Sequence, residues 1–126
     1  MSFSNYKFNF ITVNKTLSYY ILFAAAWCIG NGILHDIFVL KQRRPFDREL
    51  IRLMLDGHIL IFAGLFFLLS FRGIDRGELW AFYISITASV FILGYCALIF
   101  KMLPSIMTIL IHLIALVWLI ISLKTK

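Results

Sequence analysis

Charge is scarce in this chain. Asp, Glu, Lys and Arg make up 14% of its 126 residues, against 62% hydrophobic residues. Soluble domains carry about a quarter charged and about 45–50% apolar residues, so the composition argues against a water-soluble fold. Short segments of alternating polarity are missing as well, which argues against a transmembrane β-barrel. Cysteine is limited to Cys28 and Cys96, both inside apolar runs and without a CxxC partner, so no disulfide framework is expected. Acidic residues are few, and the formal net charge is +6. In a soluble protein that balance would raise nucleic-acid binding. Here the positive charges flank apolar runs, so they are read as topology signals and contacts with anionic lipid headgroups, with no nucleic-acid partner. Internal repeats and low-complexity segments are also lacking.

What remains is a series of apolar stretches about twenty residues long, the signature of a polytopic helical membrane protein. The expected fold is all-α: an integral membrane four-helix bundle, up-down-up-down, with short loops, forming a single domain over residues 1–126. Spans are expected at about 17–40, 51–71, 79–100 and 105–123. Residues 1–16 interleave aromatics with polar residues and read as an interfacial tail. Ala24-Ala25-Ala26 offers small residues for signal cleavage, but apolar sequence continues to Leu40, too long for a signal core, so the first span is read as uncleaved. Pro45 either opens the second helix or ends the turn before it. Trp80 and Tyr83 are placed as interfacial anchors of the third span.

The stretch from His35 to His58 organises the rest. It closes one span with His35-Asp36, turns through Lys41, Arg43, Arg44 and Pro45, passes Arg48 and Arg52, and enters the next span with Asp56-Gly57-His58. Lys41, Arg43, Arg44, Arg48 and Arg52 form a basic hairpin suited to anionic headgroups. Both termini share the opposite side, where Lys7, Lys15, Arg72, Arg76, Lys124 and Lys126 balance those five residues and Lys101 in a tie. The first helix usually decides orientation, and its C-terminal flank is the denser, so the hairpin is placed on the cytoplasmic side of a cell or inner membrane. The tie also permits insertion in both orientations, and with it a homodimer.

All three histidines are expected in one leaflet. His35 lies ~7.5 Å inside its span, and His58 and His112 about 10 Å inside theirs, at 1.5 Å per residue. If the second span began after His58, only ~20 Å of helix would remain before Phe71, too short for a hydrocarbon core near 30 Å. Small and weakly polar residues mark the inward faces: Ala24, Cys28, Asn31 and His35 on the first span; Asp56, Ala63 and Ser70 on the second; Ala81, Ser85, Ala88, Ser89 and Cys96 on the third; Ser105, Thr108, His112, Ala115 and Ser122 on the fourth. Asp56 and His58 stand about 200° apart on their helix, so Asp56 is turned inward and His58 toward the interface.

Asn31, His35, Asp36, Asp56, Thr108 and His112 are therefore the candidate ligand- or ion-binding set, expected to bind or pass a small ligand, ion or proton. An accessory subunit of a membrane complex, with a merely structural polar network, is the alternative. A second alternative is metal or haem binding. His35, His58 and His112 with a carboxylate would suit zinc or iron, paired imidazoles would suit haem, and Met54, Met102 and Met107 would suit copper. No HxxxH or ExxH spacing supports that chemistry. Asp56-Gly57 resembles the opening of the phosphatidyltransferase motif, whose later aspartates do not follow, and no nucleophile stands beside a base. Enzyme activity is accordingly not expected.

Overall fold

A computed structural model describes residues 3–43, 45–101 and 105–125, with side chains from residue 14 onward. They form four α-helices: α1 (Phe3–Lys41), α2 (Arg48–Asp75), α3 (Leu79–Ile99) and α4 (Ile106–Lys124). No strand occurs among the described residues. All four helices are long and apolar enough to cross a membrane, and the chain is a small multi-pass membrane protein. The helices pack in a ring, each against its chain neighbours, with α4 closing onto α1; the α1–α2 pair is the most extensive. Arg44 of the basic hairpin and Met102 lie outside the described residues. The backbone of α1 is helical back to Phe3, well before the expected start of the first span.

Local chemistry sets the helix ends. Pro45 ends the turn, and Asp47 caps α2, its carboxylate accepting the Leu50 amide at 2.8 Å. At the far end of α2, Gly77 takes a left-handed φ of 73°. That conformation lets the Gly77 amide reach Ile74 and the Glu78 amide reach Gly73, a paired closure of the last turn. Trp80 and Tyr83 are exposed on α3, and the Trp80 indole donates to Glu78.

The inward faces carry the small residues expected of them. Ala24, Cys28, Ala63, Ser70, Ala81, Ser85, Ser89, Cys96, Thr108, His112, Ala115 and Ser122 are all buried, while bulky Phe62, Leu69, Phe91 and Leu98 face outward. The larger apolar core, with Leu17, Ile21, Phe67, Ile74, Phe82 and Leu119, fills the end of the bundle near the termini. Most of the titratable groups fall in the other half, toward the hairpin.

The helices are offset along the bundle axis. His112 touches Cys28, and Asp56 touches Tyr95. Counting 1.5 Å per residue from those contacts to the helix ends, the α1–α2 hairpin stands roughly 6–10 Å beyond the α3–α4 link.

Candidate functional site

Three glycines bring α1 and α2 together. A Cβ on Gly32 would lie 2.5 Å from the Gly57 carbonyl oxygen, and one on Gly64 would lie 2.9 Å from the Ala25 carbonyl oxygen. A Cβ on Gly57 would overlap the Asp36 carboxylate and stand 2.8 Å from the Gly32 carbonyl oxygen. Backbones in such contact leave no room for side chains, which is how close helix pairs form in lipid. The carboxylate of Asp36 lies in the space that the missing Gly57 side chain leaves free.

Two imidazoles flank that carboxylate. His58 Nδ1 stands 3.1 Å from Asp36 Oδ2, and His35 Nδ1 stands 3.7 Å from Oδ1. The Asp36 side chain is 15% exposed and the His35 side chain 22%, whereas that of His58 is 47% exposed. His58 Nδ1 also lies 2.8 Å from the Met54 carbonyl oxygen, one turn back on its own helix. A ring nitrogen facing two oxygen acceptors has to carry the hydrogen. The neutral ring then keeps its lone pair on Nε2, as a base. Asp36 Oδ1 and His35 Nδ1 are buried and have no hydrogen-bond partner among the described residues.

The site sits toward the hairpin end of the bundle. Asp36 is ~7.5 Å from the end of α1 by helical rise. That is about the distance by which the hairpin overtops the α3–α4 link. Its level is therefore that of the link, where α3 and α4 stop and only α1 and α2 continue. Lys41, Arg43, Arg48 and Arg52 are exposed above it, with Arg43 at a left-handed φ of 47° in the turn.

The other sequence-predicted residues gather elsewhere. Asp56 turns to α3 and accepts from the Tyr95 hydroxyl, so α2 presents Asp56 to α3 and His58 to α1. His112 is fully buried two turns deeper along α1, where its Nε2 lies 3.1 Å from Cys28 Sγ. Its ring stacks on Phe67 at 5.2 Å between centroids and 18° between planes. One turn from His112, Thr108 accepts from the Trp27 indole at 3.1 Å and from the Ser105 hydroxyl at 2.8 Å. Asn31 donates its amide to the Trp27 carbonyl at 2.8 Å. The candidate set is thus divided among four groups: His35–Asp36–His58, Asp56–Tyr95, His112–Cys28, and Asn31 and Thr108 on Trp27.

That division bears on metal chemistry. His112 does not join His35 and His58, and no group of three or more His, Cys, Asp or Glu side chains among the described residues is placed to hold a metal ion. Met54 takes part through its backbone carbonyl, and Met107 is exposed.

Tyr95, Cys28 and Phe67 are the partners that the sequence did not point to. Tyr95 and Phe67 read as bulk in apolar runs, and the only signal for Cys28 was its place on the stripe with Asn31 and His35. An outward groove of about 530 Å³ between α2 and α3, lined by Ile59, Phe62, Phe66, Tyr83 and Phe91 among others, has no histidine or carboxylate in its walls. Compared with family models, with curated proteins and with solved structures, the chain matches none.

Proposed function

We propose that this membrane protein takes up and releases a proton at the His58–Asp36 pair, on the hairpin face of the bilayer, and that this face is cytoplasmic. The observation that carries the reading is one largely buried carboxylate with an imidazole at each oxygen. Imidazole is the side chain whose ordinary range spans physiological pH. A proton landing on His58 Nε2 makes an imidazolium whose Nδ1 lies 3.1 Å from Asp36 Oδ2, so the new charge has its counter-ion beside it. His58 is half exposed and able to receive that proton, while Asp36 and His35 are mostly shielded.

The test is pH-difference infrared spectroscopy on the protein in nanodiscs. Acidification should give coupled carboxylate and imidazole bands that vanish in Asp36→Asn and persist in Asp56→Asn. A wild-type difference spectrum from Asp36→Asn would sink the reading.

An accessory-subunit role has one observation in its favour. Asp56–Tyr95 and Ser70–Ser85 (2.6 Å) are polar pairs satisfied within the chain, as a purely structural network would be. On that reading the infrared bands would be absent from the wild type too.

A further inference from the structure

We infer that the Cys28–His112 pair is an interior relay that carries the proton from the Asp36 site onward through the bundle, an inference that rests on Asp36 as its entry. His112 is wholly excluded from solvent, yet its Nδ1 has no hydrogen-bond partner among the described residues. Its Nε2 is committed to the Cys28 thiol. Whichever nitrogen holds the hydrogen, Nδ1 is left as either an unmet donor or an unmet acceptor. Apolar packing would favour a residue without that group, because an unpaired polar atom within a bilayer has no water to turn to.

An imidazole with one partnered and one open nitrogen has the form of a relay, since it accepts a proton on one side and gives one up on the other. A proton arriving at Cys28 Sγ displaces the thiol hydrogen onto His112 Nε2. The Nδ1 hydrogen then leaves toward the next acceptor. Sulfur again holds one hydrogen, the ring is neutral in its other tautomer, and a turn of the ring restores Nε2 as the acceptor before the next proton.

Polar groups lie on both sides of the pair. Toward the hairpin, Asn31 and Thr108, each hydrogen-bonded to Trp27, lie within the two turns that separate Cys28 from His35. Toward the termini, Ser89 Oγ and Ser122 Oγ are buried and lack partners among the described residues.

The test is proton flux into liposomes holding a pH-sensitive dye, driven by a potassium diffusion potential. The wild type should acidify the lumen faster than protein-free vesicles do. His112→Phe, which keeps a ring on Phe67, should fall to the protein-free rate. Ser89→Ala should also lose flux while unfolding no more readily than the wild type, because it removes an unmet hydroxyl; a merely structural serine would not behave so. If His112→Phe fails to fold, Ser89→Ala decides. Wild-type flux at the protein-free level, or undiminished flux in either folded variant, overturns the relay. The infrared signal of Asp36 would survive that result, so the two readings fail separately.

Discussion

At the scale of single residues, Gly57 and His58 shape the Asp36 site from α2. Gly57 leaves the volume in which the Asp36 carboxylate lies. Gly57→Ala is therefore expected to displace the carboxylate and lower stability by about 1–3 kcal/mol, the usual cost of overpacking. Denaturant titration in detergent measures the stability, and the infrared bands of Asp36 should be lost together with it. Tyr95→Phe makes the contrast. It leaves Asp56 without its donor, a loss of about 1–3 kcal/mol for a partly buried acceptor, yet the Asp36 bands should persist, because Asp56 and Asp36 lie on different seams. If Tyr95→Phe abolished those bands, the carboxylates would belong to one network, contrary to the geometry.

At the scale of helices, the α1–α2 seam is the most specific element. Gly30 and Gly32 are two residues apart on α1, and their surroundings differ completely. A Cβ on Gly30 meets nothing within 4 Å, whereas one on Gly32 meets the Gly57 carbonyl oxygen at 2.5 Å. Gly30→Ala should be neutral or stabilising by up to about 1 kcal/mol through helix propensity. Gly32→Ala should cost about 1–3 kcal/mol and separate the pair; spin-label distances between α1 and α2 would check this, and equal effects from both would refute the seam. The faces of these helices were legible in the sequence, since in lipid the residues that turn inward are the small and weakly polar ones. Which inward groups would meet was not. Meeting depends on the relative shift of helices, and His112 pairs with Cys28 rather than His35 because α4 begins roughly 10 Å below the end of α1. Asp56 illustrates the same limit: it bonds Tyr95 on α3 and leaves α1 to His58.

At the scale of the whole molecule, helix length fixes depth. The 21 residues of α3 and the 19 of α4 rise ~32 and ~29 Å, close to a hydrocarbon core near 30 Å. The 28 residues of α2 rise ~42 Å, longer than such a core, and its hairpin end carries exposed basic residues and an exposed Phe46. Cys28 and Cys96 are buried and should not react with a water-soluble maleimide. Phe46→Cys is then the reactive position. A cytoplasmic hairpin is expected to label only after cells are permeabilised, and labelling in intact cells would reverse the orientation. The Lys/Arg tie left that choice to the flank of the first helix alone. α1, for its part, is a single rod of 39 residues, and Cys28, Asn31 and His35 share one stripe along it. Torque applied at either end would swing all three out of register together, like teeth on one shaft, and so break the path at every point at once.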